Sequence, residues 1–93
     1  MARQLLSEEE ISLQLRELKE WTRLGSEIRK KVECEDFVHA MGFVNSVALL
    51  AERINHHPDI DIRWNKVILA LSTHSAGGLT ELDFELAAMI DQL

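Results

Sequence analysis

Three of the four histidines, His56, His57 and His74, fall within the stretch Glu52 to His74, which also holds the only proline, Pro58. Three imidazoles close in sequence suggest either a metal site or proton transfer. Zinc suits the ligand type, but adjacent His56 and His57 do not make the His-x3-His face of a helix, and the single cysteine, Cys34, completes no ligand set. Acid/base work fits better, because imidazole both gives and takes a proton near neutral pH. Each candidate also has a structural use. A histidine pair at a helix C-terminus interacts well with the negative end of the helix dipole and can satisfy terminal carbonyls. Glu52 lies one turn before His56 and can pair with it at i, i+4 or stay solvated. Asp83 follows Thr80 at capping-box spacing, and Trp64 can stack on a planar ligand or pack as a core or interface residue. Gly77-Gly78 does not form a nucleotide-binding glycine fingerprint.

The elements that must position these residues can be read in order. Ser7-Glu8-Glu9-Glu10 is a capping box, with Leu6 and Ile11 as a hydrophobic staple, and Ile11, Leu15 and Leu18 predict a helix ending near Lys19 or Glu20. From Trp21 two short strands surround a turn at Gly25-Ser26. Ile28, Val32 and Cys34 share the second strand's apolar face, which Lys30 interrupts, so its stem should pack with its amine in water or lie near the sheet margin. Cys34 reads as a small buried apolar residue.

Asp36 to Asn55 is the longest helical pattern, with apolar lines Phe37, Met41, Val44, Ala48, Ala51 and Ala40, Phe43, Val47, Leu50, Ile54. So broad a surface implies burial on two sides, one against the sheet and the other against a helix or partner subunit. His39 falls off both lines and reads as a solvated surface histidine. Pro58 stops this helix; Ile60 to Trp64 alternates, Asn65-Lys66 can turn, and Val67 to Thr73 is a buried strand. Because His74 closes a strand whose partner begins just after His56-His57, the three imidazoles can meet at one sheet rim. Thr80 to Asp83 starts a last helix with Leu79 and Phe84 as staple and Leu82, Leu86, Ile90 and Leu93 as its stripe. The predicted fold is α+β, a two-layer sandwich. A four-stranded, mainly antiparallel sheet carries three helices on one face, in the order α-β-β-α-β-β-α.

Ninety-three residues with 46% apolar content make one domain, 1–93, with core enough to fold, and small domains often gain stability by self-association. The net charge of −6, from 16 acidic and 10 basic side chains, disfavours phosphate backbones and anionic membranes. No apolar run looks long enough to cross a bilayer, and Met-Ala-Arg-Gln-Leu-Leu-Ser lacks a signal-peptide apolar segment. With a lone cysteine, a soluble cytoplasmic protein is expected, without direct nucleic-acid or membrane contact.

The pattern Glu52-x3-His56-His57-Pro58-x5-Trp64-x9-His74-x8-Asp83 resembles the signature of the pterin-4a-carbinolamine dehydratases. Asp36-Phe37-x4-Gly42-Phe43-x3-Val47-Ala48-x3-Glu52 and Leu71-Ser72-Thr73-His74 extend the likeness over nearly the whole chain. Members of that family dehydrate 4a-hydroxytetrahydropterin to quinonoid dihydropterin, and animal members also serve as dimerisation cofactors of a homeodomain transcription factor. The resemblance implies catalytic roles for His56, His57 and His74. It also implies pterin contacts from Glu52, Asn55, His57, Pro58, Ser75 and Asp83, no metal, no redox cofactor, and a homodimer or homotetramer with room for a protein partner. Within it, His56 and His74 are assigned the proton transfers and His57 the orientation of the pterin. Asn55 stands where the animal proteins have aspartate, and Ser75-Ala76 where they have Glu-Cys. The competing expectation is a non-catalytic dimerisation or assembly cofactor on the same fold, for which three retained histidines would be unnecessary.

Overall fold

The register of the central strands sorts the side chains into a core face and an outer face. The computed structural model describes residues 4–93; Met1, Ala2 and Arg3, which begin the stretch expected to lack a signal peptide, lie outside the described residues. Its elements are α1 (Glu8–Arg16), β1 (Thr22–Leu24), β2 (Glu27–Glu33), α2 (Phe37–Ile54), β3 (Asp59–Arg63), β4 (Lys66–Leu71), a one-turn 3₁₀ helix (His74–Ala76) and α3 (Glu81–Ile90). The four strands form one antiparallel sheet in the order β1-β2-β4-β3. Ile28 pairs with Leu71, Lys30 with Leu69 and Val32 with Val67, while Ile60 and Ile62 oppose Leu69 and Val67 from β3. Side chains alternate along a strand, so these all share one face. Ile28, Val67, Leu69 and Leu71 are completely buried there, with Ile11 of α1, Ala40, Val47 and Ala51 of α2, and Phe84, Leu86, Ala87 and Ile90 of α3 in the same core. This is the expected α+β fold of three helices on a four-stranded antiparallel sheet.

Local capping sets the helix starts. In α1 the Ser7 amide donates to Glu10 Oε1 (2.8 Å) and the Glu10 amide to Ser7 Oγ (3.2 Å), with Glu8, Glu9 and Glu10 at the positive end of the dipole. Asp36 caps α2 by accepting from the His39 amide at 2.8 Å. His39 is exposed as expected, with its ring Nδ1 2.7 Å from the same carboxylate. That hydrogen bond, then the charges of Asp36 and Glu35, hold the His39 imidazole above its usual pKa.

Several expectations need correction. α1 ends at Arg16 rather than at Lys19 or Glu20. The Lys19 amide and the Trp21 indole beyond it both reach Asp91, at 2.8 and 2.9 Å. Lys30 does not leave its amine in water: Nζ lies 2.6 Å from Asp91 Oδ1, and the two side chains are only 13% and 4% exposed. The second hairpin turns at Trp64-Asn65, one residue earlier than predicted, because Arg63 already pairs with Lys66. Asn65 is buried and donates from Nδ2 to the Cys34 carbonyl at 2.9 Å. Trp64 is left exposed in the left-handed region (φ 53°), neither core nor sheet, with the Lys66 ammonium 5.7 Å from its ring centroid. Leu93, expected in the α3 stripe, is exposed.

α2 also departs from the expectation that no run could cross a bilayer: its 18 residues, at mean hydropathy 1.2, suffice by length and composition. Its Ala40, Val47 and Ala51 line nevertheless packs in the shared core, the signature of an amphipathic core helix. Phe37, Val38, Met41 and Leu49 remain exposed, so the second apolar side anticipated for this helix is uncovered within one chain.

Asp91 joins β2, the segment before β1 and the end of α3, and its energetics are testable. Burial pushes its pKa up, but hydrogen bonds from Lys30, the Lys19 amide and Trp21 outweigh that and hold it below the usual aspartate value. Asp91→Asn should lower the unfolding free energy by about 2 kcal/mol, read as a reduced urea midpoint. A depressed folded-state pKa stabilises fully above the unfolded-state value and is lost as pH falls through the folded-state value. The gap between wild type and variant should therefore close in acid, below the ordinary value of 3.8. A gap that stays constant there contradicts the assignment.

Candidate active site

The site begins where α2 ends. Asn55 takes a left-handed conformation (φ 51°, ψ 48°) as C-cap, and the His56 amide turns back to donate to the Ala51 carbonyl at 3.0 Å. This reversal sends the two adjacent histidines into different surroundings. His56 is buried, with Nε2 2.6 Å from Asp83 Oδ1, while His57 stays exposed and hydrogen-bonds through Nε2 to Glu52. Of the two uses open to Glu52, pairing with His56 at i, i+4 or remaining solvated, the left-handed turn removes the first: Glu52 stays exposed and pairs with His57, a contact of modest energetic weight. Pro58 is half-buried and leads into β3, whose first residue Asp59 pairs with Ala70 of β4.

The other half of the site follows β4. The Thr73 amide donates to the Gly78 carbonyl at 2.9 Å, and the Thr73 carbonyl accepts from the Ala76 and Gly77 amides at 3.0 Å each. These bonds close the 3₁₀ turn that starts at His74 and carries Ser75, both exposed. Gly77 ends it at φ 78°, a conformation that side-chain-bearing residues rarely adopt. The chain then enters α3 through the predicted capping box, in which Asp83 Oδ2 accepts from the Thr80 amide at 2.9 Å.

Asp83 is therefore more than a cap. It is completely buried, and its oxygens also meet His56 Nε2 and the Thr73 hydroxyl (2.8 Å), so they are occupied within the protein. The carboxylate that the resemblance implies contacts the pterin exposes no surface here and adjoins His56. The same network draws the start of the His74 turn towards the end of α2, since Thr73 and His56 share one carboxylate. His56, His57 and Glu52 thus belong to the α2 side, His74 and Ser75 to the β4 side, and Asp83 bridges them. Among the described residues no three His, Cys, Asp or Glu side chains are grouped as a metal site.

Sequence reasoning missed the hydroxyl of Thr73 and saw in Thr80 only the cap of α3; their Oγ atoms lie 2.7 Å apart in the interior. A usable signal was present: Leu69, Leu71 and Thr73 alternate inward, so Thr73 is a polar residue at a core-facing position that needs a buried partner. Chemically, a buried imidazole held at one nitrogen and exposed imidazoles on the adjoining segments are groups able to give and take protons near neutral pH.

Comparison with known proteins bears on what that ligand is. The family model described as Pterin 4 alpha carbinolamine dehydratase matches residues 4–93. A Roseiflexus castenholzii protein provisionally named pterin-4-alpha-carbinolamine dehydratase is 57% identical over 96% of each chain. One from Nocardia farcinica, with the same provisional name, is 54% identical over 100% of this chain and 98% of its own. The crystal structure of a transcriptional coactivator/pterin dehydratase from Brucella melitensis superposes with TM-score 0.90 at 36% identity, covering 94% of this chain and 95% of that one. A pterin dehydratase-like protein identified as a RuBisCO assembly factor in the alpha-carboxysome has TM-score 0.67 at 22% identity over 80% and 88% of the two chains, a likeness of fold alone. A family model spanning all described residues, and relatives more than half identical along the whole chain, place this protein in the pterin-4a-carbinolamine dehydratase family.

Proposed function

We propose that this chain catalyses loss of water from a 4a-hydroxytetrahydropterin, giving quinonoid dihydropterin, by histidine acid/base chemistry without a metal or redox cofactor. The observation that carries the reading is the buried network in which Asp83 holds His56 and, through Thr73, the start of the turn bearing His74, while His57 and His74 themselves stay exposed. The bond between C4a and oxygen breaks as one imidazole protonates the departing hydroxyl, which leaves as water. The N5 lone pair forms the new C4a=N5 bond, and a second imidazole takes the N5 proton. His56 and His74 carry these two transfers, and His57, held by Glu52, orients the pterin with Asn55, Pro58 and Ser75 lining the approach.

A second reading is supported by the exposed Phe37, Val38, Met41 and Leu49 of α2. They suit a non-catalytic cofactor that binds another protein, and the assembly-factor fold neighbour makes such use reasonable for this architecture. Protein binding through α2 is by itself compatible with catalysis, because the α2 surface and the histidines lie in different parts of the chain; the readings part only over turnover. Either way, the reading includes a cytoplasmic protein that pairs through α2 as a dimer or tetramer.

Single His56→Ala and His74→Ala changes should each lower kcat about 10²-fold or more in a dehydration assay with synthetic 4a-hydroxytetrahydropterin. His57→Ala should raise KM more than it lowers kcat. Turnover should decline on both sides of an optimum, as acid protonates the base and alkali deprotonates the acid, and should survive exhaustive chelation. Unchanged turnover in a His56→Ala, His74→Ala double variant, or its loss on chelation, contradicts the mechanism; absent turnover in the wild type favours the non-catalytic reading. Sedimentation at micromolar concentration should give a dimer or tetramer mass, and a monomer would refute pairing through α2.

A further inference from the structure

We propose that Asp83 is the positioning residue of the site: it sets which nitrogen of His56 carries the proton, and it anchors the turn on which His74 sits. The inference rests on the reading of His56 and His74 as the proton-transfer pair, and its geometric basis is a chain of hydrogen bonds that converges on one buried carboxylate. Backbone amides only donate. The Leu82 amide donates to Thr80 Oγ1 at 3.3 Å, so the Thr80 hydroxyl is free to direct its own hydrogen at Thr73 Oγ1, 2.7 Å away. The Thr73 hydroxyl in turn donates to Asp83 Oδ2 at 2.8 Å, where the Thr80 amide also arrives at 2.9 Å. Every hydrogen in the network runs towards the carboxylate.

Among the described residues Asp83 Oδ1 then has one partner, His56 Nε2 at 2.6 Å. With Asp83 accepting there as it does at Oδ2, the hydrogen in that contact belongs to Nε2. Nδ1 is left with no hydrogen-bond partner among the described residues, yet no buried side-chain nitrogen or oxygen among them goes unpaired. Nδ1 therefore opens to solvent and is the atom His56 offers a ligand. In the neutral ring it is an acceptor, and when it takes a proton the resulting imidazolium keeps its hydrogen bond to Asp83. The other carboxylate oxygen holds Thr73, whose carbonyl closes the turn beginning at His74. One buried group thus sets the tautomer of one working histidine and the placement of the other.

Asparagine cannot reproduce this. With its oxygen towards His56, its amide hydrogens confront the Thr80 N–H; with the oxygen towards Thr80, its NH₂ meets Nε2 and requires that nitrogen to accept. The second arrangement moves the His56 proton to Nδ1 and turns the working atom from acceptor to donor.

The test is ¹H–¹⁵N NMR of histidine-labelled, unliganded protein at a pH where the ring is neutral, alongside steady-state kinetics. Wild type should show His56 as the Nε2–H tautomer, and Asp83→Asn should show Nδ1–H. The variant's kcat should fall about 10²-fold with KM changed only a few-fold. Thr73→Val should also reduce kcat, and Thr73→Ser should restore it. A wild-type Nδ1–H tautomer overturns the proposal, and that spectrum suffices even if Asp83→Asn does not fold. Retained Nε2–H in a folded Asp83→Asn variant overturns it too. Because the tautomer is read without substrate, a chain that turns over no pterin yet shows Nε2–H would refute the dehydratase reading while leaving the positioning role in place.

Discussion

A completely buried carboxylate, Asp83, is the constraint on which the site depends. Burying a polar group is costly unless hydrogen-bond donors surround it. Here they come from three directions: the imidazole that follows α2, the hydroxyl that follows β4, and the amide that caps α3. Joining those ends brings together the segments that carry His56 and His74. The same residue starts the last helix and holds the first histidine, so the stability of α3 and the geometry of the site are coupled.

The rest of the architecture serves that junction. The antiparallel register places Leu69 and Leu71 inward on β4, and continuing the alternation brings Thr73 inward as well, beneath the turn at His74. The left-handed Asn55 separates His56 from His57, giving one a dry partner and the other a wet one. At the far end of α3, Asp91 repeats the theme of a carboxylate gathering donors from distant segments, and holds the helix against β2 and Trp21. α3 is thus pinned at both ends by acidic residues, with its apolar face in between.

Much of this was legible because it is local. The Ser7–Glu10 and Thr80–Asp83 capping boxes, the span of α2 between Asp36 and Asn55, and the first hairpin at Gly25-Ser26 all follow from neighbours a few residues apart. What escaped depends on contacts made only in the folded chain. Glu52 lies at the correct helical spacing for His56, but the reversal at Asn55 hands it His57. Lys30 and Asp91 are 61 residues apart, so nothing near either announces the other. The shift of the second turn to Trp64 follows a pairing register that outweighs an unfavourable positive φ at an aromatic residue. Asp83 was read through its nearer role as a cap, while His56, 27 residues away, supplied the second.

The proposed proton chemistry at a pterin ring requires the buried His56 and the exposed His74 to reach the ligand from separate segments. The measurement that bears on this most directly is a crystal structure with an unreactive dihydropterin bound. The account predicts the ring between the end of α2 and the turn at His74, with its C4a–N5 edge within hydrogen-bonding distance of His56 Nδ1 and the His74 imidazole. A ring bound elsewhere, or held with that edge turned away from both histidines, would contradict it.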